Sequence, residues 1–219
     1  LMLITNDLGV VAETADRIAV MYAGQIVEEG PAKEVRRAPA SPYALDLIKI
    51  DREIENKKLG KHAFIRLKLN SLLDEEFVEA LYKASIAGVE IDLVVRGICA
   101  LLPGIPGVSE NIRVRSVLGR FLEHSRIFHF ANSGDDEIYI GSADLMDRNL
   151  NRRVESLVKI TRAEHKKALI SIFDQYVSSN TAASHLLPNG KWLRVDKDAN
   201  GTKLFDLQAM MIDSYRANI

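Results

Sequence analysis

Apolar and polar positions alternate through Phe64-Ile65-Arg66-Leu67-Lys68-Leu69, the pattern of a half-buried strand. Next, Phe77, Val78, Leu81, Tyr82 and Ser85 fall on one face at helical spacing, so a helix is expected over 75–87, capped by Asp74 and ended by Gly88. Residues 91–95 are mostly apolar, as in a strand covered on both faces. Strand, helix and strand at this spacing predict a βαβ unit with a right-handed crossover. Further strands are expected over 112–117, 127–130, 137–141 and 153–160, with a long helix over 163–177. Pro188-Asn189-Gly190 reads as a turn between strands 184–187 and 192–195. Residues 196–201 read as a loop before a last amphipathic helix over 204–215. Upstream, a charged helix over 48–58, continued from about Tyr43, is stopped by Gly60.

The first 46 residues are patterned differently. A short apolar strand over 1–5 precedes a helix over 8–17, with Asn6 or Asp7 as its N-cap. Segments 18–22 and 25–28 then form a hairpin around Ala23-Gly24. Gly30-Pro31 stops the hairpin, and Pro31 opens a short helix over 31–37. Acidic Asp7, Glu13, Asp16, Glu28, Glu29, Glu34 and Asp46 outnumber Arg17, Lys33, Arg36 and Arg37 here. The chain therefore divides into two units, 1–46 and 47–219, and the fold class is α/β with an N-terminal strand-helix-hairpin appendage.

Bulk numbers narrow the function. With 219 residues and 47% hydrophobic content, the chain is long and apolar enough for a real core. A net charge of −1 gives no global field for nucleic acid or anionic lipid, so any anion site must come from local clustering. Cys99 is the single cysteine, which excludes a disulfide within the chain and fits a reducing cytoplasm. No apolar run is long enough to span a bilayer and no secretory signal opens the chain. Leu1 sits inside an apolar run, as expected of an excerpt from something longer.

The densest chemistry lies between Arg96 and Arg126. Five arginines, Glu110, Glu123 and His124 fall there without a lysine. Planar guanidinium forks bind phosphate oxygens bidentately and stay charged, and an imidazole among them suggests phosphoryl chemistry. Spacing alone somewhat favours a surface strand with solvated arginines and a histidine satisfied in the core; a family resemblance shifts the balance. Arg96 follows an apolar strand and so projects from the carboxyl edge of a sheet, where ligands collect in α/β folds. Alternation puts some of Arg113, Arg115, Arg120 and Arg126 on a solvated face. Lys68 and Asn70 are open between anion contact and strand-end packing. Asp144 and Asn149 are expected to hold the loop after Gly141 by side-chain caps. His62, His129, His165 and His185 read as surface or packing residues, and no local cluster argues for a metal site.

Residues 47–219 resemble the C-terminal catalytic domain of polyphosphate kinase. The matching strings include Lys68-Leu69-Asn70-Ser71-Leu72, Val95-Arg96-Gly97-Ile98-Cys99, Pro103-Gly104-Ile105-Pro106-Gly107-Val108-Ser109-Glu110-Asn111, Gly119-Arg120-Phe121-Leu122-Glu123-His124-Ser125-Arg126-Ile127 and Gly141-Ser142-Ala143-Asp144-Leu145-Met146. The resemblance implies a phospholipase D-like mixed sheet flanked by helices, with His124-Ser125-Arg126 standing where that superfamily has His-x-Lys. It implies reversible transfer of the terminal phosphate of ATP to polyphosphate, with ATP, ADP and polyphosphate as partners and Mg²⁺ brought by the nucleotide. His124 is then the catalytic histidine that contacts the nucleotide phosphates. Arg96 is the nucleotide-binding arginine, Arg126 and Arg120 are further phosphate ligands, and Lys68, Asn70, Arg113 and Arg115 are candidate contacts. The family's Trp and Pro in the Gly-Ser string are Leu145 and Asp147 here, and the Asp before its arginine pair is Asn151. The family's first catalytic half carries the histidine that is itself phosphorylated and a tyrosine that stacks on the base. Nothing in residues 1–46 matches that half, so weak ligand binding without turnover is expected. A non-catalytic scaffold module is the alternative, and self-association is compatible with either.

Residues 1–46 resemble the tail of an oligopeptide- or dipeptide-type ABC-transporter ATPase. The strings are Ile4-Thr5-Asn6-Asp7-Leu8-Gly9, Ala15-Asp16-Arg17-Ile18-Ala19-Val20-Met21-Tyr22-Ala23-Gly24 and Ile26-Val27-Glu28-Glu29-Gly30. That family's switch histidine is Asn6 here, and no Gly-x-x-x-x-Gly-Lys-Ser/Thr phosphate loop occurs in the sequence. The piece is therefore expected to act as a cap, in a chimeric chain, rather than to bind ATP.

Overall fold

A computed structural model describes residues 15–22, 25–32, 42–146 and 156–216. Strands β1 (Arg17–Tyr22) and β2 (Gln25–Pro31) pair antiparallel as a sheet of their own. Arg17 opens β1 opposite Pro31, and its side chain meets Glu29 at 3.0 Å. The expected helix over 8–17 therefore does not reach its last residue. The strand over 1–5, the Ala23-Gly24 turn and most of the helix over 31–37 lie outside the described residues.

The main body is a large mixed sheet flanked by helices, as the family resemblance implied. Its elements are α1 (Pro42–Lys58), β3 (Phe64–Leu69), α2 (Glu75–Ile86), β4 (Glu90–Val95), β5 (Ile112–Ser116), β6 (Arg126–Phe130) and β7 (Glu137–Gly141). They are followed by β8 (Leu157–Ile160), α3 (Ala163–Val177), β9 (Ala183–Leu186), β10 (Trp192–Val195) and α4 (Leu207–Arg216). The strand order is β10-β9-β5-β4-β3-β6-β7-β8, with β3, β4 and β5 parallel and every other pair antiparallel.

Period-two alternation feeds two cores. Ile91, Leu93 and Val95 of β4 join Leu67, Phe128, Phe77 and Leu81 beside Ile50 and Ile54 of α1. Val94 points the other way and packs with Ile127, Ile138, Phe173, Tyr176 and Leu207. The face that carries Val94 also carries half-buried Asp92, paired with Arg113, so β4 is apolar on both faces only at its carboxyl end, where both are covered.

Helix α2 starts where Asp74 Oδ1 accepts the Phe77 N–H at 3.0 Å. It ends with Gly88 at φ +87°, a backbone value that favours glycine. Asp74→Ala should lower stability by about 1 kcal/mol in urea denaturation, the usual cost of an N-cap. The last helix begins at Leu207, three residues later than the pattern suggested. Asp206 Oδ1 takes the Ala209 N–H at 3.1 Å and so fixes the start there. The preceding Phe205 bridges to Thr181 instead. The strand expected over 153–160 is seen from Leu157, and residues 153–155 lie outside the described set.

Helix α1 is riveted to the far end of the sheet by charge. Glu137, at the start of β7, meets Lys49 at 2.8 Å, Arg52 at 2.6 Å and also Lys159. Burial would raise its carboxyl pKa, but these three cations hold it down at about 2.

Candidate functional site: a cleft at the carboxyl ends of the parallel strands

At the carboxyl ends of β3, β4 and β5 a cleft of about 480 Å³ is lined by Arg96, Gly97 and residues 118–123. Arg96 reaches it because β4 ends at Val95 and the chain bends away through Gly97. That glycine lies so close to β3 that a Cβ there would stand 3.0 Å from the Asn70 carbonyl oxygen. Arg96 is half-buried and its Nε has no partner. Arg120, also in the lining, is exposed, with its guanidinium carbon 5.6 Å from the Phe121 ring centroid.

The wall segment is held from behind. Gln208 of α4 accepts the Phe121 N–H at 2.7 Å and donates to the Phe121 carbonyl at 2.8 Å and to Glu123 at 2.9 Å. Glu123 also accepts from Tyr176 at 2.5 Å and meets Lys68 at 3.3 Å. Burial works to raise the Glu123 carboxyl pKa, yet the Tyr176 and Gln208 hydrogen bonds and the Lys68 charge leave it lowered.

His124 follows directly, exposed to solvent. Its Nδ1 lies 3.1 Å from Arg126 Nη1, which also donates to the His124 carbonyl at 3.2 Å. An arginine only donates, so Nδ1 accepts there and the ring carries its own N–H on Nε2. Arg126 opens β6 and is buried. It grips Asp144 through Nη2 at 2.8 Å and Nε at 3.2 Å, and Asp144 in turn accepts the backbone N–H of Asn70 at 2.7 Å. Burial raises the Asp144 carboxyl pKa, and the Arg126 and Asn70 hydrogen bonds outweigh it, so the net shift is downward.

The structure thus brings Arg96, Arg120 and Glu123 together around the cleft, with His124 next in the chain, and it shows several of the other candidates engaged with internal partners. Arg126 is committed to Asp144 and His124, so it positions the histidine rather than offering a free fork. Lys68 is buried, donates to Ser125 Oγ at 2.9 Å and stands 5.0 Å over the Tyr176 ring. Burial is the chief cause of its lowered pKa, with the nearby Arg96 and Arg126 charges adding to it. Arg113 is tied to Asp92 at 2.7 Å, near the start of β5, away from the cleft. Arg115 donates to the Ser178 carbonyl at 3.0 Å. Asp144 braces the end of β3 instead of capping the loop after Gly141, because its carboxylate points at the two amides that β3 leaves unpaired, those of Asn70 and Ser71. Asp147, Asn149 and Asn151 lie outside the described residues. His129 is buried with Asp136 3.1 Å away. His62 and His165 are exposed, and His185 is half-buried on β9.

Tyr176, Gln208 and the bracing role of Asp144 were not anticipated from the sequence. A glutamine on the buried face of an otherwise amphipathic helix was the available signal for Gln208. As for a resident metal, no group of three or more His, Cys, Asp or Glu fits one among the described residues. Glu123, the one carboxylate among the cleft-lining residues, is already engaged, so the donor set does not suit a bound cation.

Fold and cleft define a mixed α/β domain whose cleft opens at the carboxyl edge of its parallel strands, the edge where ligands collect in such folds. The family described as polyphosphate kinase C-terminal domain 2 matches residues 44–207, and the chain belongs to that family. The polyphosphate kinase of Streptomyces coelicolor is 50% identical over 184 residues, 83% of this chain and 25% of that protein. That of Neisseria gonorrhoeae is 41% identical over 215 residues, 98% of this chain and 31% of that protein. The chain therefore spans about a quarter to a third of the length of these relatives. The crystal structure of polyphosphate kinase from Porphyromonas gingivalis superposes with a TM-score of 0.74 at 36% identity, over 81% of this chain and 27% of that one. A phospholipase D family member, Nuc from Salmonella typhimurium, superposes over 72% of this chain and 94% of its own, with a TM-score of 0.47 at 14% identity.

Proposed function

We propose that this chain is the phosphate-gripping part of a polyphosphate kinase-type phosphotransferase, which moves the terminal phosphate of ATP to and from polyphosphate. The observation that supports the reading is the shared cleft, lined by Arg96, Arg120 and Glu123, with His124 next in the chain after Glu123. Phosphoryl transfer asks mainly for positioned cations around the equatorial oxygens. Arg96 and Arg120 supply them, and the His124 Nε2–H, aimed by Arg126, donates to a phosphate oxygen. Mg²⁺ arrives with the nucleotide as part of the substrate. The chain alone binds ATP, ADP or polyphosphate weakly and does not turn over, because the phosphorylated histidine belongs to a catalytic half it does not match.

Calorimetry tests this with ATP and tripolyphosphate. The parent protein should bind both, and Arg96→Ala should weaken binding roughly ten- to a hundredfold, the worth of charge-assisted hydrogen bonds. His124→Ala should weaken it less. No heat from either ligand would favour the scaffold reading, and ATP-dependent polyphosphate growth by this chain alone would overturn the inactivity proposed here.

For residues 1–46 we keep the proposal of a transporter-ATPase origin. Its supports are the motif strings, the separate β1–β2 sheet and a family match that starts at residue 44. The Neisseria alignment, which takes in 98% of the chain, weighs against it. The coding sequence upstream of Leu1 decides: a phosphate loop there supports the transporter origin. A cytoplasmic setting goes with nucleotide chemistry, and no helix among the described residues is long and apolar enough to cross a membrane.

A further inference from the structure

Asn70 is 3% exposed, and neither its Nδ2 nor its Oδ1 has a hydrogen-bond partner. Such a group is costly to bury unless some state of the protein satisfies it. The carboxamide is not needed to shape its own turn. The Asn70 N–H already goes to Asp144, and its carbonyl accepts the Gly97 N–H at 2.8 Å.

The neighbour across the ladder is Arg96. The last β3–β4 pair is Leu69↔Val95, so Asn70 and Arg96 stand one step beyond it. The Arg96 N–H still donates to the Leu69 carbonyl at 3.1 Å, so the strands have not yet parted there. Alternation continues the face that carries Lys68 and Val94, the face turned toward Tyr176. Arg96 Nε is buried and unpartnered as well. Arg96, with a donor lacking an acceptor, and Asn70, with an acceptor lacking a donor, therefore stand as neighbours just beyond the β3–β4 ladder, where Arg96 lines the cleft.

We propose that Asn70 is a positioning residue for Arg96. When a condensed phosphate enters, the two terminal nitrogens of the Arg96 fork turn onto its oxygens, and Nε–H donates to Asn70 Oδ1. That bond fixes the plane of the guanidinium and so the angle at which the fork meets the phosphate. The inference rests on the phosphate reading above and deepens it.

The test is a double-mutant cycle read by calorimetry with tripolyphosphate, on the parent, Asn70→Ala, Arg96→Ala and the double variant. Asn70→Ala should weaken binding about five- to tenfold in the parent, the worth of one hydrogen bond, and less than twofold where Arg96 is already alanine. Nitrogen-15 NMR gives a readout that a merely structural role would not move. Tripolyphosphate should slow exchange of the Arg96 Nε–H in the parent and not in Asn70→Ala. Asn70→Asp, which keeps an acceptor at that point, should retain the slowed signal, and it serves as the second variant if Asn70→Ala unfolds. Equal losses in both backgrounds, or an Nε–H unmoved by ligand, would overturn the inference while leaving the phosphate reading standing. A parent protein that binds no tripolyphosphate would remove both.

Discussion

Asp144→Ala is expected to destabilise the domain by about 4 kcal/mol, the scale set by breaking a buried ion pair. Asp144 and Arg126 side chains are each 7% exposed, and their pairing is two-pronged. Removing the carboxylate strands a guanidinium in the interior and frees the amides at the end of β3. In a chain of this size the thermal midpoint should fall by roughly 8–16 °C. The cleft should suffer too, since Arg126 would no longer be fixed against His124. Replacing both partners with apolar residues of similar volume should cost less than the single change, because no charge is then left unpaired. A loss under about 1 kcal/mol for Asp144→Ala would show that Arg126 finds another partner.

Glu137→Ala should cost about 3 kcal/mol or more, for a related reason at the opposite edge of the sheet. Lys49, itself 8% exposed at the side chain, loses its partner, and α1 loses its hold on β7. The pH dependence has a definite sign. A carboxyl whose folded pKa is depressed stabilises the protein above its unfolded value, about 4.3, and that contribution disappears as pH falls toward about 2. Stability measured by urea denaturation between roughly pH 4.5 and 2 should therefore fall more steeply for the parent than for Glu137→Gln.

Much of this fold was legible in the sequence because its signals are local. The alternation over 64–69, the Asp74 cap, Gly88 and the apolar run over 91–95 each follow from near neighbours, and each stands where the pattern put it. The cleft was legible at Arg96 for a similar reason, since a strand-end arginine is visible one residue at a time. What stayed hidden was which charges cancel. Arg126 and Asp144 are 18 residues apart, and Lys68 and Ser125 are 57 apart. A linear reading sees a run of cations there and can sort them only by alternation, not by partner. Folding spends Lys68 and Arg126 on internal partners, and it sends Arg113 to Asp92, leaving Arg96 and Arg120 to face the cleft. Gln208 was hidden more deeply, because its bond to Phe121 spans 87 residues.

That last bond makes the docking of the final helix and the shape of the binding wall a single equilibrium. The Gln208 side chain completes the backbone pairing of Phe121 as a neighbouring strand would, so undocking α4 would unlatch the segment that presents His124. Whatever tugs on the carboxyl-terminal end of this domain would thereby be transmitted, as if by a drawstring, to the mouth of the cleft.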